Sequence, residues 1–438
     1  MLILLQFLKQ TPVLNKTVDK NIFMCYNIHV TQQRRIIMVT LLVGTDIKNN
    51  TSIFANLSDL NDSELLAQIE NVVRHPARVG NVVILPDVHL GYGVPIGCVV
   101  ATKGAVIPNA VGVDIGCSMS AVKTSLHRDE MTEDVLKKIV GGSKEYPGGI
   151  VANIPFGTAH NNYKQDHQIF ADPQAWFNTT VCCENYESAQ FQLGSVGGGN
   201  HFIEIQSDTD GNVWFMIHTG SRNLGYKVCN HYNKIAVDLC NKWFHKDVIN
   251  TSLPFLPQGT DEYEDYLAEM NLCMRFAQAN HEVIQSKIKG IIQHIFPNVQ
   301  FDKALYTMHN FARMENVYGQ NLMVHRKGAI CAREGDLEII PGSQGTSSYI
   351  VRGLGNPASM CSASHGSGRK MSRNQARATL TLKEEQEKMK GIIHNMLTEK
   401  SLDEAPSAYK DIKSVLKYEK TLVEPVTELR PLAVVKES

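Results

Sequence analysis

Val113-Asp114-Ile115-Gly116-Cys117 places a carboxylate and a thiol three residues apart in a glycine-containing turn. Both groups can grip one cation, and a thiolate beside a carboxylate suits Mn²⁺ or Zn²⁺ better than Mg²⁺ or Ca²⁺, which prefer all-oxygen ligands. Alone, D-x-x-C is a common accident, so the pair needs partners. Gly197-Gly198-Gly199-Asn200-His201-Phe202-Ile203-Glu204 offers one: the glycines let backbone approach a ligand, and His201 to Ile205 reads as a strand. His201 and Glu204 need not face the same way, so one can hold metal while the other reads a substrate. Trp214 to Ile217 is an apolar strand that delivers His218 into Thr219-Gly220-Ser221-Arg222, whose guanidinium suits phosphate. His309 and Asn310 end another apolar stretch. Among the 16 histidines, His201, His218, His309 and His365 have Gly, Asn or Ser neighbours, whereas His231, His245, His281 and His294 read as ordinary helix residues. Loop histidines with a Cys and an Asp make a donor set that metal catalysis uses, although spacing alone does not bring them together.

Two later segments suit a nucleotide. Pro341-Gly342-Ser343-Gln344-Gly345, followed by Thr346, Ser347 and Ser348, is a turn rich in backbone donors and resembles a phosphate or ribose cradle. It lacks the Walker sequence, so this is no P-loop. Ser364-His365-Gly366-Ser367-Gly368-Arg369 sets an imidazole among small residues, where it can attack phosphorus if one ring nitrogen stays unprotonated.

The elements that must position these groups are short. Apolar spacing predicts a helix over Ser63 to His75, then strands at Asn81 to Leu85, Gly97 to Ala101 and near Ala121 to Lys123. From about Tyr226 the apolar period turns helical, clearest in Val237 to Phe244 and Met274 to Ile295, and this reads as a helical insertion spanning about 226–300. Glycine-rich loops and short strands follow until Gln375, after which Ala376 to Leu397 is expected to be one strong helix. The expected fold class is α+β: a single compact catalytic unit of mixed β-sheets with surrounding helices. Residues 1–37 lack a period and are expected to be a disordered or spurious extension ahead of a start at Met38, leaving 38–438 as the catalytic domain.

Composition narrows the setting. A net charge of -1 argues against a dedicated nucleic-acid scaffold, so any RNA contact must rest on a local patch. The 10 cysteines show no disulfide framework, which fits a reduced, cytoplasmic protein. No basic region or cleavage site marks Met1 to Leu8 as a signal peptide, and no apolar run approaches the roughly 20 residues that span a bilayer.

Taken together the segments resemble the RtcB-type RNA-splicing ligase family. The resemblance runs from about Leu85 to Lys436 through LPDVHLGYGVPIG (85–97), VGVDIGC (111–117), GGGNHFIE (197–204), HTGSRNLG (218–225), MHNFARMEN (308–316), VHRKGA (324–329), PGSQGTSSYIVRG (341–353), SHGSGR (364–369), EAPSAYKDI (404–412) and LRPLAVVK (429–436). So many ordered matches are specific to the family.

The resemblance implies that Asp114, Cys117, His201, His218 and His309 bind two Mn²⁺ ions, with Cys117 bridging, and that His365 is guanylylated by GTP. It implies a nucleotide site built from Asn200 to Glu204 (with His201, Phe202 and Ile203 between), His309, Asn310, Pro341, Gly342, Ser343, Gln344, Ser348, His365, Gly366, Ser367, Gly368, Tyr409 and Lys436. The implied partner is RNA bearing a 2′,3′-cyclic phosphate or 3′-phosphate end and a 5′-hydroxyl end, joined in tRNA splicing or RNA repair, with no membrane and an unassigned activating protein. Arg222, Arg326, Lys327, Arg352, Arg369 and Arg373 are the expected RNA-phosphate contacts. Ser118 stands where the family often has Gly, and Gln344 where Met is common; neither removes a ligand. A phosphodiesterase that opens cyclic phosphates without sealing them, and an inactive RNA-binding relative, are the alternatives.

Overall fold

The computed structural model describes residues 39–42, 50–243, 245–395 and 398–437. The expectation for residues 1–37 lies outside them. The strands that matter for the site are β1 (Val39–Leu42), β2 (Asn50–Ile53), β3 (Arg78–His89), β4 (Ile96–Thr102), β5 (Ser118–His127), β6 (Phe202–Ser207), β7 (Asn212–Thr219), β8 (Leu305–Met308), β9 (Asn310–Val317), β10 (Gln320–Lys327), β11 (Ala329–Cys331), β12 (Leu337–Ile340), β13 (Ser348–Gly353), β14 (Ser362–Ser364) and β15 (Val423–Val435). One sheet has the order β1-β2-β3-β4-β10-β9, a larger one the order β8-β5-β7-β6-β15-β13-β12, and β11 pairs with β14. Only β2 and β3 run parallel within the first of these.

The larger sheet curls until its ends meet, and Ile339 N–H donates to Thr307 Oγ1 at 3.0 Å across the join. Met119, Ala121, Phe202, Met216, Ile339, Ile350 and Leu429 fill its interior. The alternation of a strand sends their neighbours to the other face. There Val122, Ile203, Ile205, Phe215 and Ile217 pack against Ile284, Ile288 and Ile292 of a long helix. The first sheet buries Ile53, Val82, Ile84 and Val100 against helix α1 (Ser63–Val73), where Leu65, Ile69, Val72 and Val73 form one stripe. Asp62 starts that helix by accepting from the Glu64 and Leu65 amides.

The helical region consists of α2 (Asn223–Lys242) and α3 (Asp261–Ile295). Thr260 caps α3, and Asp261, Glu262 and Glu264 fill its first turn, so it starts well before Met274. Both helices enter the main core through Val228, Tyr232, Tyr266, Cys273 and Phe276, and Met38–Ser438 pack as one compact unit. The single helix expected over Ala376 to Leu397 is absent. The segment instead folds as α4 (Arg373–Thr379) and α5 (Leu382–Lys388), followed by a 3-10 turn over Glu399–Glu404. Leu380 takes an extended conformation at the break and packs with Met389, Leu402 and Val434, a tertiary contact that overrides helix propensity. No helix among the described residues is long and apolar enough to cross a membrane.

Candidate active site

Antiparallel pairing assembles the candidate metal donors. Met308 pairs with Ser118, Ser118 with Thr219, and Phe202 with His218, so β8 and β7 end where β5 and β6 begin. The residues just beyond or at those ends are His309, Cys117, His218 and His201, and they meet at one edge of the sheet. Cys117 Sγ lies 3.3 Å from both His201 Nε2 and His218 Nε2. His218 Nε2 lies 3.4 Å from His309 Nε2, and His201 Nε2 lies 3.0 Å from Asp114 Oδ2. Ligand atoms on one divalent ion with bonds of roughly 2.0–2.3 Å sit roughly 3.3–3.7 Å apart, so this spacing fits a coordination shell. Cys117, His201 and His218 form a convergent buried trio. Two glycines make room: a Cβ on Gly197 would collide with the His201 imidazole, and one on Gly220 would lie 2.6 Å from Asp114 Oδ1.

The electrostatics also fit a cation. Burial holds His218 and His309 well below the usual histidine range, with the other site histidines adding to the effect, so both are neutral at pH 7, the form that can ligate a metal. Burial pushes the Cys117 thiol well up, and the Asp114 charge pushes it further; a bound cation would stabilise its thiolate. Burial raises Asp114, but the hydrogen bond and charge of His201 outweigh it and leave the carboxyl below its ordinary value. The Asn200 carbonyl faces His218 Nδ1 at 3.1 Å, which fixes the ring with Nε2 toward the cluster.

His365 stands beside this edge, its ring centroid 4.9 Å from that of His309. It follows β14, whose Ser364 pairs with Ala329, so the imidazole sits over Gly328. Asp87, fully buried at the end of β3, accepts from the His365 amide at 3.0 Å and faces His365 Nδ1 at 2.6 Å. A carboxylate on Nδ1 leaves Nε2 with its lone pair, the state a nucleophilic imidazole requires.

A cluster of buried polar side chains lies on the barrel side. Phe202, Glu204 and Gln206 lie on the inward face of β6, and Gln206 donates to Glu204 at 2.6 Å and to Ser348 at 3.2 Å. Burial pushes the Glu204 carboxyl up to about 8, against the pull of Gln206 and Lys436. The Lys436 ammonium lies 5.8 Å from the Phe202 ring and 3.7 Å from Glu404. Tyr409 donates to Glu404, Gln344 donates to the Glu404 carbonyl, and the Arg369 guanidinium covers the Tyr409 ring at 5.2 Å. Pro341 accepts from the Ser367 amide at 3.1 Å, joining the two glycine-containing turns.

The sequence that builds this site matches a known family. The family description "tRNA-splicing ligase RtcB" fits residues 68–437. The chain belongs to the RtcB family. It is 33% identical over 402 residues to the RNA-splicing ligase RtcB of Escherichia coli (strain K12), covering 86% of this chain and 94% of that protein. It is 30% identical to the tRNA-splicing ligase RtcB of Nanoarchaeum equitans (87% and 93% covered) and 28% identical to RNA-splicing ligase RtcB homolog 1 of Entamoeba dispar (88% and 85%).

Several residues expected from the RtcB resemblance sit elsewhere than at a ligand. Arg326 is fully buried, with its guanidinium on Glu315, Ser362 Oγ and the Met360 carbonyl. Lys327 is buried with its ammonium on the Tyr92 and Asn109 carbonyls, at 2.8 and 3.0 Å. Both side chains are hydrogen-bonded within the core. Ile203 points into the outer core, because strand alternation turns it away from Phe202 and Glu204. Asn310 braces the site: it donates to the Asp114 carbonyl at 3.1 Å and accepts from the Gly328 amide at 2.8 Å. The Gly342 and Ser343 amides are already held by Ser348 Oγ and Thr346 Oγ1, at 3.3 and 2.7 Å. Arg222 adopts a left-handed φ of 60° and donates to Ser195 Oγ and the Gly157 carbonyl beside the metal edge.

Sequence reasoning missed Asp87, Gln206, Glu404, Asn280 and His281. His281 is fully buried and bridges Ser120 Oγ (2.8 Å) and Ser118 Oγ (3.1 Å) directly behind Cys117. Asn280 accepts from the Gly194 and Ser195 amides and donates to the Ser195 and Gly220 carbonyls, clamping the loops that carry His201 and Asp114's neighbour Gly220. Asn280→Ala orphans these buried groups and is expected to destabilise the fold by about 2–4 kcal/mol. Urea unfolding reads it as a lowered midpoint with an unchanged slope.

Proposed function

We propose that this chain is a GTP- and Mn²⁺-dependent RNA ligase that joins 2′,3′-cyclic phosphate or 3′-phosphate ends to 5′-hydroxyl ends through a guanylate on His365. The observation that carries the reading is the Asp87-held imidazole beside a Cys/His/Asp cluster. A phosphodiesterase that only opens cyclic phosphates has use for the cluster but none for a half-buried imidazole held by a carboxylate and poised as a nucleophile. Asp114, Cys117, His201, His218 and His309 hold the two ions. When bound, these neutralise phosphate charge and orient in-line displacement.

His365 Nε2 forms a bond to the α-phosphorus of GTP as the bond to the bridging oxygen breaks and pyrophosphate leaves. The Nδ1 proton stays shared with Asp87, whose charge stabilises the imidazolium-like ring that results. Water first opens a cyclic phosphate to the 3′-phosphate. An oxygen of that phosphate then takes GMP from Nε2, and the 5′-hydroxyl attacks the RNA phosphorus, gives up its proton and displaces GMP. Glu204, releasing its proton as guanine binds, accepts from the N1 and N2 donors of guanine, with Ser348, Tyr409 and Lys436 beside it. Asn200, Pro341 to Gln344 and Gly366 to Gly368 complete the nucleotide's surroundings, and Arg222 and Arg369 lie nearest for RNA phosphates.

The test is ligation of 3′-phosphate and 5′-hydroxyl RNA strands, which must require both GTP and Mn²⁺ and cease with a chelator. Asp87→Asn should slow guanylylation about 10²-fold while GTP affinity is retained, since an amide cannot hold the same tautomer. A single-turnover rate and a nucleotide binding titration on the same preparation separate the two.

A further inference from the structure

Two carboxylates grip consecutive amides at the His365 turn. Asp87 Oδ2 accepts from His365 N, and Glu419 Oε2 accepts from Ser364 N at 2.9 Å. Both acids are fully buried. Asp87 Oδ1, Glu419 Oε1 and Ser364 Oγ are also buried, yet none of the three has a hydrogen-bond partner. Ionised carboxylates only accept, so with both acids charged the two orphan carboxylate oxygens have just the Ser364 hydroxyl between them. A proton on Glu419 converts one orphan acceptor into a donor.

We infer that Glu419 is a positioning residue for the His365 nucleophile and acts as a neutral carboxylic acid, leaving Asp87 as the only anion on the imidazole. The inference rests on the proposed role of His365. Glu419 has one backbone donor and no cation, whereas Asp87 has the His365 amide and ring, so the proton belongs on Glu419. The charged groups around the pocket agree. Asp87 and His89 come from β3, and Lys410 directs its ammonium to the Pro86 and Val88 carbonyls and to Asp59. Burial pushes Glu419 up to about 8; the Ser364 amide lowers it, the charge of Asp87 raises it, and the nearby Ser364 hydroxyl lowers it slightly. Such an acid keeps its proton at pH 7 and loses it as pH rises through about 8. Ionisation would then set a second buried charge behind the nucleophile. Stability has the same sign: the unfolded chain ionises Glu419 at an ordinary carboxyl pKa, so this group's contribution falls as pH rises toward about 8.

The experiment compares wild type, Glu419→Gln and Glu419→Ala. Infrared difference spectra at pH 7 should show the carbonyl band of a protonated buried acid in wild type that Glu419→Gln lacks. Glu419→Ala should slow His365 guanylylation about 10- to 100-fold. Glu419→Gln, a neutral isostere, should restore the rate to within about threefold of wild type and lose the decline that wild type shows above about pH 8. Absence of the band, a Glu419→Gln as slow as Glu419→Ala, or a fully active Glu419→Ala overturns the inference. Should wild type take no guanylate at all, the functional reading fails. The infrared band and the tautomer of His365 by nitrogen-15 NMR then still decide whether Glu419 is a neutral acid that orients this ring. Glu419→Gln keeps both readouts available if Glu419→Ala does not fold.

Discussion

His365→Ala takes up no label from GTP carrying radioactive α-phosphate, and its ligation of RNA ends falls by roughly 10³-fold or more, the scale of removing a covalent nucleophile. The label on wild type is stable to base and released by acid, as a phosphorus–nitrogen bond on imidazole is. The variant keeps its fold, because the His365 side chain lies at the rim and the Ser364 and His365 amides keep their carboxylate partners. Equal labelling of His365→Ala would place the guanylate on another residue.

Cys117→Ala removes the donor that touches two imidazoles at 3.3 Å, and it lowers bound Mn²⁺ after dialysis to near background by elemental analysis. Guanylylation falls by roughly 10³-fold, because neutralising the triphosphate needs the ions. A second readout does not depend on turnover. At a Mn²⁺ concentration one hundred times Kd, a one-site stabilisation of about 2.7 kcal/mol raises the wild-type melting temperature, and the variant gains none. Without added metal the two proteins unfold alike, since a neutral buried thiol and a methyl group differ little in packing. Full metal content in Cys117→Ala would remove Cys117 from the ligand set.

The candidate donors could be named from the sequence, but D-x-x-C alone is a common accident, and it was the ordered family motifs that singled out these His, Cys and Asp residues. Their convergence was not readable. It depends on which strands pair and in what register, and Cys117, His218 and His201 meet only because Met119, His218 and Phe202 align across three strands. Arg326 and Lys327 read as surface charges in the sequence, whereas in the fold one is buried on Glu315 and the other on carbonyls. His281 and Asn280 were hidden inside the apolar period of a helix, where their hydrogen bonds to the metal-site loops leave no local signature. Asp87 stood in a quoted motif without a role, since its link to His365 spans 278 residues. The helix expected over Ala376 to Leu397 broke at Leu380 for a contact with residues beyond the segment. Local pattern thus carried the α+β class and most of the chemistry, and long-range pairing carried the geometry.

The most direct measurement is a chase. Wild-type protein is charged with α-labelled GTP and Mn²⁺, freed of nucleotide, and mixed with an RNA strand ending in a 3′-phosphate, then with a 5′-hydroxyl strand. The label should leave the protein, cap the 3′-phosphate end, and be released as GMP when the joined RNA forms. Label that stays on the protein, or RNA that joins without passing through the capped strand, would contradict an RNA ligase working through His365.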